Sequence, residues 1–154
     1  MKTKSLCCLL LAGIVSSTSF AAAPAADAPT TVVIVANDSL KFSVTRIEAR
    51  PGQKLHIQLR NEGTMAKAIM GHNWILLKAG KDPNAYAGVA ATATKEGYEP
   101  KALANDVIVS IRLLGPKETA DVTFEAPSVP GRYQYLCSFP AHSAAGMRGE
   151  LLIK

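Results

Sequence analysis

From residue 31 onward, turn residues break the chain roughly every eight to twelve positions, leaving short runs that are either β-branched or alternating. Residues 31–36 read Thr-Val-Val-Ile-Val-Ala and end on Asn37-Asp38, which is strand composition followed by turn chemistry. Extended character continues through Phe42, Val44 and Ile47 to Arg50, where Pro51-Gly52 marks a reversal. Residues 53–60 alternate strictly, with Leu55, Ile57 and Leu59 on one side and Lys54, His56, Gln58 and Arg60 on the other. A strand with one buried and one solvated face has this pattern, so His56 points outward and is not expected to bind anything. Further strand-like runs occupy 71–77, 107–114, 119–126, 132–137 and 149–154. Ala120, Val122 and Phe124 share one side, as do Tyr133 and Tyr135. About seven or eight short strands with this punctuation specify an all-β domain, a Greek-key β-sandwich. Two stretches do not fit the strand pattern. Residues 65–70 are apolar and loop-like, and residues 82–103 are alanine-rich but interrupted by Pro83, Gly88, Gly97 and Pro100. The second predicts one short helix near 83–92 with adjoining loop, an excursion on the outside of the sandwich.

The amino terminus has a different composition. Lys2 and Lys4 precede an apolar run from Leu6 to Val15, and small residues follow at Ser16, Ser19, Ala21 and Ala23. Residues 1–23 are read as a secretory signal peptide cleaved after Ala21 or Ala23. A membrane anchor would need about 20 apolar residues, more than this run supplies. A lipoprotein reading through Cys7 or Cys8 fails because too short an apolar segment precedes them. Residues 24–30, mostly Ala and Pro, read as a flexible lead-in, and residues 31–154 as a single domain of ordinary size.

Cleavage changes two counts. Of the three cysteines only Cys137 remains, so no intramolecular disulfide forms and the leftover thiol is expected to react or to ligate. Without Lys2 and Lys4, the 17 basic residues become 15 against 12 acidic ones. The lysines and arginines are scattered rather than clustered, which excludes a nucleic-acid footprint.

Residues 137–147 read Cys-Ser-Phe-Pro-Ala-His-Ser-Ala-Ala-Gly-Met, placing a thiolate, an imidazole and a thioether in one loop between two strands. These donors suit copper better than magnesium or calcium, which prefer oxygen. Zinc prefers four strong ligands, and a thioether is a weak one. His72, at a strand start after Gly71, reaches the same pole if its strand lies beside the last two. Two histidines and a cysteine in a trigonal set, with a distant axial methionine, make a blue-copper electron-transfer site. Copper(II) and copper(I) favour different surroundings, and a site intermediate between the two changes little when an electron arrives.

Two motifs, Met70-Gly71-His72-Asn73-Trp74 and Cys137-Ser138-Phe139-Pro140-Ala141-His142, together with Leu113-Leu114-Gly115 and the closing strand, resemble the azurins and related small cupredoxins over residues 32–154. The resemblance implies a cupredoxin-like sandwich holding one copper ion that cycles between Cu(I) and Cu(II). It implies His72, Cys137 and His142 as equatorial ligands, Met147 as the weak axial one, and the Gly71 carbonyl as a possible contact opposite. Asn73 would tie the two ligand segments together and donate towards the sulfur, with the Phe139 amide as a second donor and Ser138 beside them. One departure is the spacer. Four residues, Ser143 to Gly146, separate His142 from Met147, where azurins have three and the auracyanins and rusticyanins resemble this chain. The extra residue is expected to draw the metal towards Met147 and away from Gly71. The cysteine pair that links strands in azurins is absent as well.

The resemblance also implies an apolar docking patch around the edge of His142, formed by Met70, Phe139, Pro140, Ala141, Ala144 and Ala145, with Met65 and Ile69 nearby. Small apolar patches suit brief encounters. The expected partners are redox proteins such as c-type cytochromes or terminal reductases and oxidases, met by a periplasmic monomer with no membrane span in its mature form. A copper chaperone or store is the alternative, and it would need more exposed, exchangeable ligands. An enzyme would need an open coordination position and usually a second metal, and the chain's three histidines leave at most one spare. Trp74, two residues after His72 and on the same side of its strand, is expected to be a core anchor.

Overall fold

The alternating runs become eight strands among residues 28–154, the part of the chain that the computed structural model describes. The signal-peptide reading of residues 1–23 and the start of the lead-in lie outside those residues. Strands β1 (Thr30–Ala36), β3 (Lys54–Asn61) and β6 (Thr119–Glu125) form one sheet in the order β1-β3-β6. Strands β2 (Arg46–Ala49), β4 (His72–Leu77), β5 (Val107–Leu114), β7 (Gly131–Leu136) and β8 (Arg148–Ile153) form the other, in the order β2-β8-β7-β4-β5. The pairs β1–β3 and β2–β8 are parallel and the rest antiparallel. The chain changes sheet repeatedly, and this interleaving makes the Greek-key sandwich expected from the punctuation.

Register follows side-chain alternation. Across β3 and β6, Leu55 faces Phe124, Ile57 faces Val122 and Leu59 faces Ala120, all inward, while His56 and Gln58 oppose Thr123 and Asp121 on the solvent side. A slip of one residue would turn the apolar set out into water. Ile34, Leu55, Ile57 and Leu59 from the small sheet pack with Trp74, Leu76, Ile111, Tyr135 and Leu151 from the large one. Trp74 is fully buried between Tyr135 and Phe124, with ring centroids 5.4 and 6.3 Å away, so it is the expected core anchor.

Strand β4 is buried along its whole length. Trp74 and Leu76 face the sandwich, and Ile75 and Leu77 pack with Leu136 under Tyr86 and Ala90 of helix α2 (Pro83–Ala90). That helix starts as its sequence suggests. Pro83 occupies the first turn, and Asp82 caps it by accepting from the Asn84 amide at 2.9 Å. It ends two residues before the expected limit, and the excursion continues in 3₁₀ turns at Thr94–Glu96 and Lys101–Asp106.

Two local expectations need correction. Residues 65–70 are not simply loop, because Lys67–Met70 makes one helical turn, α1, with the Ile69 and Met70 amides donating to the Ala66 carbonyl. A single turn with no buried residue shows no helical period in the sequence. The extended run through Phe42 is also shorter than expected. Phe42 makes only an isolated bridge to Ala36, and pairing resumes at Arg46. No helix among the described residues is long and apolar enough to cross a membrane.

Candidate metal centre

His72 is the first residue of β4 and Cys137 directly follows β7. The two strands are neighbours, paired at Ile75–Leu136 and Leu76–Tyr135, so residues 65 positions apart in the chain meet at one pole. On the other side of β4, His72 lies opposite Leu114 but Trp74 lies opposite Ile111. The extra residue bulges β5 beside the site. Gly71 is required for a steric reason: a Cβ there would stand 2.7 Å from the Lys67 carbonyl oxygen and 3.0 Å from Cγ of Leu113. Helix α1 can therefore run directly into β4 only through glycine.

The ligand loop is braced by its own backbone. Cys137 donates its amide to the Met147 carbonyl at 3.0 Å, Met147 donates to His142 at 3.0 Å, and His142 donates to Phe139 at 3.1 Å. Ala145 and Gly146 donate to Ala141 and Ser143. These bonds close residues 137–147 into a compact turn and carry Met147, fully buried, back under it. The longer spacer is accommodated within this turn, where Gly146 takes a left-handed φ of 96°.

Within that frame Nδ1 of His142 stands 3.5 Å and Nδ1 of His72 4.0 Å from Cys137 Sγ. The imidazole centroids are 5.0 Å apart, and one donor atom from each residue lies within 4.8 Å of the others. A metal ion with bonds of about 2.0–2.3 Å to nitrogen and sulfur would require in-plane donors roughly 3.5–4 Å apart, so these three residues fit one ion. Among the described residues they are the only group of three or more His, Cys, Asp or Glu side chains so placed. All three are buried, His142 being just 3% exposed.

Burial also sets their protonation. The Cys137 thiol is pushed up to about 12 by desolvation, against the pull of the Asn73 and Phe139 backbone amides. Desolvation, reinforced by His72, lowers His142 to about 4. His72 is lowered too, chiefly by burial, although the Asp38 carboxylate and Asn37 carbonyl favour its charged form. Both imidazoles are thus neutral and have lone pairs to offer, while the thiol keeps its proton until a metal displaces it.

Asn73 clips the two ligand segments together. Its Oδ1 accepts from the Ser138 amide at 2.8 Å and its Nδ2 donates to Ser138 Oγ at 2.7 Å. The side chain is thus committed to Ser138, and Asn73 reaches the sulfur through its backbone amide. Phe139 is 7% exposed, packed 4.7 Å from the His142 ring. It lies under the proposed docking surface rather than in it. Ala141, Ala144 and Ala145 are exposed and Met70 and Pro140 half-buried, while Ile69 at 60% and Met65 at 40% exposure present the larger apolar groups. His56 lies away from the pole on the outer face of the small sheet, held by Asp121 at 3.0 Å and Thr31 at 3.3 Å.

Two contributors gave no signal in the sequence. Asp38, in the turn after β1, accepts from the amide and hydroxyl of Thr64, both at 2.9 Å, and adds negative charge near His72. Tyr98, in the excursion, touches Ser138 and Phe139.

A buried Cys-His-His cluster at the pole of a two-sheet Greek-key sandwich defines a cupredoxin, a small copper-binding β-domain. The family model of copper binding proteins of the plastocyanin/azurin family matches residues 29–154. Azurin from Pseudomonas aeruginosa is 32% identical over 146 residues, 91% of this chain and 95% of that protein. Azurin from Achromobacter denitrificans is 34% identical over 137 residues, 86% of this chain and 90% of that one. Among solved structures, auracyanin A, titled a "blue" copper protein from Chloroflexus aurantiacus, aligns with a TM-score of 0.72 at 31% identity, covering 82% of this chain and all of that one. The chain belongs to the plastocyanin/azurin family, as an azurin-like cupredoxin whose cofactor is copper.

Proposed function

We propose that the protein is a blue-copper electron carrier, exported to the periplasm, with His72, Cys137 and His142 as equatorial ligands and Met147 as the axial one. Copper held there supplies the one-electron chemistry, alternating between Cu(I) and Cu(II). The chain's own residues do the rest. The observation that carries this reading is the convergence of a buried thiol and two neutral imidazoles in a frame already closed by hydrogen bonds. A donor set clamped in this way moves little when the charge of the site changes, which favours fast transfer. The amides of Asn73 and Phe139 stabilise negative charge on the sulfur, and the apolar shell keeps water from the donors.

Burial supports the carrier over a chaperone or store, because Cys137 and His72 are wholly enclosed and His142 nearly so. No open coordination position of the kind an enzyme needs is implied by four protein ligands. Gly71 directly precedes His72, and its carbonyl is the proposed fifth contact. The exposed apolar surface of Ile69, Met65, Ala141, Ala144 and Ala145 is the docking face for partner proteins such as c-type cytochromes or terminal reductases and oxidases, met by a monomer.

The copper-loaded protein should show an intense visible thiolate-to-copper charge-transfer band and a reversible one-electron couple. Absence of both would sink the carrier reading. Export is tested by the mass of the periplasmic protein, which should begin after Ala21 or Ala23. Ala144→Glu should slow electron self-exchange and leave the spectrum alone, whereas an unchanged rate removes this face from docking.

A further inference from the structure

We propose that Tyr98 is a positioning residue for the metal centre, through which the helical excursion holds the two residues that follow Cys137. The inference rests on the electron-carrier reading and concerns the same site. Tyr98 makes two separate contacts with the ligand loop. Its backbone carbonyl accepts from the Ser138 hydroxyl, and its ring meets the Phe139 ring edge-on with centroids 4.9 Å apart. The first contact completes a directed chain. Asn73 Nδ2 donates to Ser138 Oγ, and Ser138 donates in turn to Tyr98, so the carbonyl determines which lone pair the hydroxyl offers to Asn73. The second contact backs the residue whose amide faces the sulfur and whose ring lies on His142.

Tyr98 is well placed for such a role because its own backbone is constrained. It has φ of 63° directly after Gly97 at 64°, a left-handed conformation that residues bearing a Cβ disfavour. Its surroundings hold it there. The Tyr98 amide donates to the Ala93 carbonyl at 3.0 Å, Glu96 accepts from the Lys101 amide at 2.8 Å, and Ser110 on β5 donates to Glu99 at 2.6 Å. The excursion is thus tied to β5 on one side and to the ligand loop on the other, and helix α2 covers β4 between them. Strain in a residue that touches the site from outside is the arrangement expected of a positioning element.

The test compares copper-loaded variants by charge-transfer band, reduction potential and copper affinity. Tyr98→Ala should broaden the band, lower the potential as the sulfur's amide donors loosen, and weaken copper binding about tenfold, the lower end for groups that orient ligands. Ser138→Ala removes the other contact, the hydroxyl that the Tyr98 backbone carbonyl holds and that Tyr98→Ala leaves in place, and should shift the potential in the same direction. Tyr98→Phe keeps the ring and should restore wild-type values. Asp82→Ala removes only the cap of α2, so it should lower the melting temperature and leave the band and potential in place. The proposal is overturned if Tyr98→Ala and Ser138→Ala keep the wild-type band and potential, if Tyr98→Phe behaves as Tyr98→Ala does, or if Asp82→Ala shifts the potential equally. A wild-type protein that binds copper without the band would refute the carrier reading, and the affinities would still decide the role of Tyr98.

Discussion

His56 and His72 both sit on strands of one small sandwich, and they have opposite fates. His56 lies on the solvent side of β3, paired with Asp121 and Thr31. His72 is wholly buried at the start of β4, with Nε2 lacking a hydrogen-bond partner of good geometry and Nδ1 turned to Cys137. Residue type is the same, so burial and convergence make the difference. On the open face a histidine is one of many solvated polar groups. At the pole, desolvation keeps the imidazole neutral, and neighbouring strands bring a thiol and a second imidazole within reach.

Substitutions at the two places should separate sharply. The largest effect belongs to Cys137→Ser, which should abolish the charge-transfer band and reduce copper affinity by orders of magnitude; an intact band in the titrated variant would remove Cys137 from the ligand set. Asn73→Ala leaves the buried Ser138 amide without its acceptor and takes the donor from the Ser138 hydroxyl, which keeps its bond to the Tyr98 carbonyl. It should cost about 1–3 kcal/mol in denaturant unfolding of the copper-free protein, one unmet buried group's worth. Gly71→Ala forces a methyl group into the Lys67 carbonyl and Leu113, and overpacking of this kind costs about 1–3 kcal/mol; an undisturbed melting temperature would show that α1 yields freely. His56→Gln should change stability by less than about 0.5 kcal/mol, as surface substitutions do, and leave the spectrum untouched.

Copper itself sharpens the contrast. A ligand that binds only the folded state raises stability with its concentration, so adding copper should raise the melting temperature of the wild-type protein. His56→Gln should keep the full increment and Cys137→Ser should lose it. Equal increments in the two variants would mean that copper stabilises the fold from somewhere other than this pole.

Much of this contrast was legible in the residues themselves. Alternation across 53–60 assigned His56 to the solvent face because period-two order reports directly on which side of a sheet is wet. The loop from Cys137 to Met147 announced its chemistry through three soft donors in close succession. Two motifs carried the family resemblance, and the matched family and relatives agree with it. Less legible were features that leave no period. A one-turn helix at Lys67–Met70 buries nothing, so no apolar stripe marks it. Phe139 was grouped with the docking surface because it is apolar and close to His142, yet Tyr98 and His142 enclose it. Asn73 was expected both to tie the ligand segments and to donate towards the sulfur, and only the structure divides the two tasks, the side chain holding Ser138 and the backbone amide facing the sulfur.

By itself, the sequence determined the strands, the inward and outward faces, and the donor atoms available for a metal, because each of these is written in neighbouring residues. Only the tertiary structure decided that β4 lies beside β7, that the excursion returns at Tyr98 to hold Ser138 and Phe139, and that the donors are closed off from water. Those facts depend on contacts between segments tens of residues apart, where loop closure and the packing of two sheets choose the partners, and no local pattern encodes that choice.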